Sequence, residues 1–226
     1  MSLEQNLKEI TDSIPAGVTL IAVSKTQPMG KIRELYELGH RVFGENRAQE
    51  MLTKYESLPG NIQWHMIGHL QTNKIKYIAS FVNFIHSVDS PKLLWEISRQ
   101  AAKFDRVIPC LLQVHIAEEE TKFGFSQDEV SQFLRSGNWS ELTHIKVVGL
   151  MGMATFTRDE QQIRREFKSL RSLFDQLKKG PLPPQVQMTE LSIGMSGDYK
   201  IAIEEGSTMV RIGTAVFGER TKKKQA

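Results

Sequence analysis

Apolar runs of strand length alternate with amphipathic, helix-length segments along the whole chain, and this alternation constrains the fold more than any other feature. The strand candidates are VTLIAVS (18–24), HRVFGE (40–45), IQWHMIG (62–68), FVNFIHSV (81–88), VIPCLLQVHI (107–116), KVVGLMGMA (146–154), TELSIG (189–194) and MVRIGTAVF (209–217). Helical patterns lie between them near 28–39, 46–57, 70–79, 90–104, 126–136, 159–179 and 197–205, and another near 3–13 precedes the first strand. Local signals agree: Ser90-Pro91 places a capping residue before a proline at the first helical position, and Gly39 and Gly180 supply stops. Strands separated by helices pair in parallel through right-handed crossovers. Eight of them are enough to close a barrel. The expected fold is therefore a single α/β domain over 1–226, a (β/α)8 TIM barrel with an extra N-terminal helix. That helix is expected to cover the seam where an eighth post-strand helix would otherwise sit. The competing architecture, an open doubly wound sheet, calls for a glycine fingerprint after its first strand; here the first strand ends in SKTQP.

Composition narrows the classes further. With 40% hydrophobic and 24% charged residues the chain has material for a sizeable core, and no apolar run is long enough to span a bilayer. The acid-bearing N-terminus MSLEQNLKEITDSI does not resemble a secretory signal. The one cysteine, Cys110, lies in VIPCLLQV and reads as a small buried hydrophobe, which excludes a disulfide framework within the chain. A cytoplasmic protein is expected. The net charge of +3 owes part of its value to the tail TKKKQA, which reads as a solvated, flexible terminus over 221–226. The other basic residues alternate with acids along helices, as in IRREFKSLRSLFDQLKK, a pattern of solvated faces. With no recognition motif or aromatic-basic platform, nucleic acid is not an expected partner.

A closed barrel carries its active site at the C-terminal ends of its strands. Reading those ends in order gives Lys25 after the first, Glu45-Asn46 after the second and Met66, Gly68 and His69 at the third. His86 lies in the fourth, GLMGMAT in the sixth, Gly194-Met195-Ser196-Gly197 after the seventh and Arg211-Ile212-Gly213-Thr214 in the eighth. On spacing alone, Lys25 is either a solvated charge where a strand surfaces or an amine held in a pocket. Ser24 beside it is either structural or polar support.

The last two strand ends are the most informative. A Gly-Met-Ser-Gly turn opens a helix, and a Gly-Thr follows the eighth run. Barrels build phosphate sites from the loops after strands seven and eight, where backbone N–H groups bind anions. Gly197 and Gly213 would let the backbone approach a phosphate, and Ser196 and Thr214 would donate hydroxyls. Taken singly, each segment is equally an ordinary cap or bulge. A phosphate clamp opposite a strand-end lysine points to pyridoxal phosphate (PLP), whose aldehyde a lysine amine captures as a Schiff base.

The stretches IAVSKTQP, FGENRAQE, WHMIGHLQTNK, GLMGMA and LSIGMSGDYKIAIEEGSTMVRIGTAVFG occur in this order. Together they resemble the YggS/PROSC family of pyridoxal phosphate homeostasis proteins over about residues 5–220. That family is similar to the barrel domain of alanine racemase and of eukaryotic-type ornithine decarboxylase, a fold-type III PLP-binding barrel without their C-terminal β domain. The resemblance implies that Lys25 carries the cofactor, that Ser196, Gly213 and Thr214 meet its phosphate, and that Asn46 lies near the ring. It also implies that Arg211 faces the pyridine nitrogen. Met66, His86 and Met195 are expected as wall residues. His115 departs from the family, where asparagine is more frequent. For Arg211 the competing reading is a rim ion pair with Glu204 or Glu205.

Two functions of different class follow. One is a carrier without turnover that keeps PLP, vitamin B6 and linked amino-acid pools in balance. The other is a fold-type III enzyme such as an amino-acid racemase. Racemisation needs an acid/base on each face of the substrate, and the four tyrosines (Tyr36, Tyr55, Tyr77, Tyr199) all lie in expected helices. His86 is either a second base or a satisfied core histidine. The carrier is the expected function, as a monomer with an open cofactor edge suited to apo PLP enzymes as recipients. A cofactor-free lysine aldolase acting on a sugar phosphate ranks last.

Overall fold

The computed structural model describes residues 2–118 and 123–219. Eight parallel strands close a barrel in sequence order, each paired with the next and the eighth with the first. They are β1 (Thr19–Val23), β2 (Val42–Glu45), β3 (Gln63–Met66), β4 (Phe84–Val88), β5 (Ile108–Gln113), β6 (Ile145–Met151), β7 (Val186–Met195) and β8 (Met209–Ile212). The helices are α1 (Leu3–Ser13), α2 (Met29–Glu37), α3 (Ala48–Ser57), α4 (Pro91–Ala102), α5 (Gln127–Ser136), α6 (Glu160–Lys179), α7 (Tyr199–Glu204) and α8 (Thr214–Phe217). A 3-10 helix over Thr72–Tyr77 stands in the helical position after β3, where the sequence pattern suggests an α-helix.

Two features differ from the pattern reading. The apolar run 209–217 is a strand only to Ile212; Gly213 turns the chain and Thr214–Phe217 forms one helical turn. A short apolar run does not by itself distinguish strand from helix. The eighth position is thus filled by α8, and α1 packs on it rather than replacing it: Asn6 Nδ2 donates to Val216 O at 3.1 Å. β7 also begins earlier than TELSIG, because Val186 and Met188 alternate as buried residues with exposed Gln187 and Thr189. The tail over 221–226 lies outside the described residues.

Successive strand residues face opposite sides of the sheet, so parity decides who meets the barrel interior. Phe43, Trp64 and Met66 face outward and are buried under the helices, with the Phe43 and Trp64 rings 6.0 Å apart. Ile21, Gly44 and Ile67 face inward, where a Cβ on Gly44 would meet Ile67 at 2.8 Å and Ile21 at 2.9 Å. Cys110 is buried in β5, and burial pushes its thiol well above the ordinary range. Among the described residues no helix is long and apolar enough to cross a membrane.

Candidate functional site

The alternation that puts Ser24 outward puts Lys25 inward. Ser24 is fully buried against α3, and Lys25 lines a cavity of about 380 Å³ at the C-terminal mouth of the barrel. That is a small-molecule volume. Asn46 after β2 and Ile67 after β3 continue the lining. Gly68 lets Asn46 approach, since a Cβ there would meet Asn46 Cα at 2.7 Å.

The loops after β7 and β8 form another wall, with Met195, Ser196, Gly197, Gly213 and Thr214 in the lining. Gly213 N donates to Ser196 Oγ at 3.2 Å, which ties the two loops together. The turn after β7 is sharp. Gly194 has φ +93, and a Cβ there would lie 2.6 Å from that of Ala202, so glycine is required on both counts. Asp198 Oδ1 accepts from Met195 N at 2.5 Å and closes the turn.

These walls are not opposite Lys25. Closure pairs β8 directly with β1, with Ile21 level with Arg211 and Ala22 with Ile212. The lysine and the loop after β8 therefore stand on neighbouring strands, with Arg211 deeper than both. Barrel closure makes the first and last strand ends adjacent, which the expectation of a clamp across the mouth overlooked.

Arg211 forms part of the cavity floor. Its Nη1 donates to Ser192 O at 2.8 Å and Ser192 Oγ at 2.5 Å, and its Nη2 donates to Gly152 O at 3.0 Å. These bonds use three of the five N–H donors of a guanidinium. Burial pulls its pKa down to about 10, against the opposing charge of Asp198, so it stays cationic at neutral pH. The rim ion pair is not made, because Glu204 and Glu205 both hold Arg164 at 2.5 Å.

Beneath Arg211 lies a chain of neutral groups. His86 Nδ1 is 2.9 Å from Ser192 Oγ, and His86 Nε2 is 3.0 Å from His65 Nδ1. Arginine only donates, so Ser192 Oγ accepts from it and keeps a lone pair and a hydrogen with which to meet His86 Nδ1. One hydrogen lies between His86 Nε2 and His65 Nδ1, and the tautomer of His86 sets which of the two rings donates it. Burial lowers His65 from its ordinary 6.5 to about 3. Burial, followed by the charges of His65 and Arg211, holds His86 well below its ordinary value.

Two expected wall residues do not line the cavity. Met66 faces outward by parity, since neighbouring His65 faces inward, and His86 is one layer below, fully buried. The third, Met195, does line it, as do the other six expected site residues, Lys25, Asn46, Ser196, Arg211, Gly213 and Thr214. None of the four tyrosines does; Tyr199 instead meets Ser13 Oγ at 3.0 Å. The strand-end reading stopped at GLMGMAT and missed Phe156 and Thr157, which join Met153, Ala154 and Thr155 in the lining. Glu166 fixes this loop by accepting from Thr155 N and Oγ1, both at 2.7 Å, while Phe156 next to it is 97% exposed. His115 stands outside the lining, its backbone N donating to Phe125 O at 2.8 Å. Among the described residues no cluster could hold a metal ion.

Residues 1–221 match the model of the alanine racemase N-terminal domain. A pyridoxal phosphate homeostasis protein of Aquifex aeolicus is 43% identical over 202 residues, 89% of this chain and 86% of its own. PipY of Synechococcus elongatus superposes without PLP at a TM-score of 0.89 and 35% identity, covering 96% of this chain and 100% of its own. With PLP bound, PipY superposes at 0.86 and 34% identity with the same coverage. An alanine racemase of Clostridium difficile shares the fold at 14% identity and a TM-score of 0.76, covering 98% of this chain and 56% of its own.

Proposed function

Since the chain belongs to the family of pyridoxal phosphate homeostasis proteins, built on the alanine racemase N-terminal domain, we propose that it binds PLP covalently through Lys25 and serves PLP and amino-acid balance without substrate turnover. The observation that carries this reading is one cavity in which a strand-end amine, a buried guanidinium and two glycine-hydroxyl loops meet. PLP supplies an aldehyde that condenses with an amine, a pyridine ring and an anionic phosphate. The residues fit each part. Lys25 would supply the amine for the aldehyde, with water as the leaving group. Ser196 and Thr214 would offer hydroxyls to the phosphate, and Gly213, with no side chain, would let it approach the loop after β8. Asn46 would border the ring, and Arg211, with two N–H donors uncommitted, would donate to the ring nitrogen. Arg211 has no acceptor, so it would hold no proton on that nitrogen, and the ring would withdraw electrons less strongly than one protonated beside a carboxylate.

The lining also supports a carrier over a racemase. Its ionisable side chains among the described residues are Lys25, Asp198 and Arg211. Arg211 cannot act as a base, Asp198 is tied to the turn after β7 through its Oδ1, and Lys25 can serve one face. His86 is buried, hydrogen-bonded on both nitrogens and neutral. The site is open at its edge, with Gly197, Thr214 and Phe156 exposed, which suits delivery by a cytoplasmic monomer to apo PLP enzymes.

The test is spectroscopic. Protein incubated with PLP turns yellow, borohydride bleaches the absorbance and fixes the cofactor mass on the peptide holding Lys25, and Lys25→Ala does neither. Protein that stays colourless in excess PLP overturns the reading. Incubation with L-amino acids in deuterated water tests the absence of turnover; catalytic α-proton exchange that Lys25→Ala abolishes would make the protein an enzyme.

A further inference from the structure

A charged cluster behind Lys25, on the outer face of the sheet, is not part of the cavity. The ammonium of Lys54 has three N–H donors, and three acceptors meet them: Ser24 O at 2.8 Å, Glu45 Oε1 at 2.7 Å and Glu50 Oε1 at 2.7 Å. Ser24 Oγ also donates to Glu45 Oε1 at 2.5 Å, and Thr26 N donates to Glu50 Oε1 at 2.6 Å. Lys54 and Glu45 are buried, and neither they nor Glu50 line the cavity.

Ser24 and Thr26 are the residues on either side of Lys25, so one ion cluster grips the chain before and after it. The grip on Thr26 has work to do. Its φ is +62, a left-handed conformation that a β-branched residue adopts only when its surroundings enforce it. We infer that Lys54, with Glu45 and Glu50, is a positioning residue for Lys25, fixing the backbone from which the amine enters the cavity. The inference rests on the reading of Lys25 as the carrier amine. It also divides the work between two lysines: Lys54 commits all three hydrogens to acceptors, while Lys25 meets the aldehyde.

Glu50→Ala tests it with least damage, because the buried Lys54–Glu45 pair remains. In the cofactor-free protein, amide hydrogen exchange at Thr26 quickens about tenfold, as expected when a local restraint is lost. The Kd for PLP rises about tenfold through loss of orientation, and the pH at which the bound chromophore titrates moves. Glu50→Gln keeps a side-chain oxygen acceptor and recovers most of all three effects. A folded Glu50→Ala with unchanged exchange at Thr26 overturns the clamp. Faster exchange with parental PLP affinity and titration overturns the positioning role. Parent protein that takes up no PLP overturns the reading of the site instead. The two failures are separable because the exchange measurement needs no ligand.

Discussion

The barrel carries two buried polar clusters on opposite faces of its sheet, and they are built on different principles. The outer one, behind Lys25, is ionic: Lys54 between Glu45 and Glu50, with Ser24 joined to it. The inner one, below Arg211, ends in neutral groups: Ser192, His86 and His65. Burial lifts the Glu45 carboxyl above the usual range, against the pull of Lys54 and Ser24, and its Oε2 has no partner among the described residues. Burial also acts on Glu50, but its bonds from Lys54 and Thr26 and the charges of Lys54 and Arg47 prevail and lower it. The outer cluster grips backbone, so it governs where an amine stands. The inner one touches a guanidinium side chain, so it governs what Arg211 can offer to a ligand. A charged cluster is costly to break on one side; a neutral one is sensitive to protons.

The largest effect is expected from the ionic cluster. Lys54→Met leaves Glu45 buried without its cation, and removing one partner of such a pair costs about 3–5 kcal/mol. Denaturant unfolding of the cofactor-free protein reads this directly. Replacing the pair together, Glu45→Leu with Lys54→Met, restores most of that stability, because apolar groups fill the site without an orphaned charge. The double variant keeps the weakened PLP binding of Lys54→Met, which separates stability from positioning. Full recovery of PLP affinity in the double variant would show that Lys54 matters to the fold alone.

The inner cluster predicts a pH dependence. His65 and His86 have folded pKa values below their ordinary 6.5, His65 at about 3. The unfolded chain therefore binds protons that the folded chain refuses. The stability these histidines contribute is complete above 6.5 and is lost as pH falls below it, for His65 down to about 3. Each histidine steepens that fall by about 1.4 kcal/mol per pH unit. Unfolding followed from pH 7 to pH 5 measures the slope, and His86→Gln flattens it by one proton. A slope that His86→Gln leaves unchanged would mean that the inner chain is protonated in the folded protein.

What the sequence reveals follows the same division. The strands were legible because parallel strands buried on both faces read as near-continuous apolar runs. Lys25, Ser196 and Gly213 were legible because strand ends in a barrel converge. Parity was not: a one-residue slip in register exchanges the two faces. Met66 and Glu45 therefore read as mouth residues although both point outward. Lys54 left a signal that went unread, because Ala48, Met51 and Lys54 recur every three residues on the buried face of α3. His86 reads the same whether it walls a cavity or supports an arginine, and only its distance to Ser192 separates the two.

A smaller effect separates the floor from its support. Ser192→Ala leaves an Arg211 N–H and His86 Nδ1 without their shared partner. An unsatisfied buried polar group costs about 1–3 kcal/mol. Met at position 54 disturbs the backbone beside Lys25, whereas alanine at 192 leaves it in place. Ser192→Ala is thus expected to shift the absorbance of the bound cofactor while amide exchange at Thr26 stays parental. Faster exchange at Thr26 in Ser192→Ala would mean that the two clusters act as one.

The smallest expected effect discriminates most sharply. Thr26 is held left-handed, which costs an ordinary residue roughly 1–2 kcal/mol. Thr26→Gly removes that strain but adds backbone freedom to the unfolded chain, worth roughly 0.5–1 kcal/mol in the opposite direction. Its net effect on stability is therefore about 1 kcal/mol or less. Glu50→Ala alone removes the bonds from Thr26 N and Lys54 Nζ, each worth roughly 1 kcal/mol. If Glu50 serves to hold an unwilling residue, it matters less once glycine stands there. The double variant should then be more stable than the sum of the single changes predicts, by about 0.5 kcal/mol or more, the scale of coupling between residues in contact. Additive effects in that cycle would mean that the left-handed turn is set by the strand end and the bond from Gln27 N to Ser24 O at 2.9 Å, with Glu50 adding only a surface hydrogen bond.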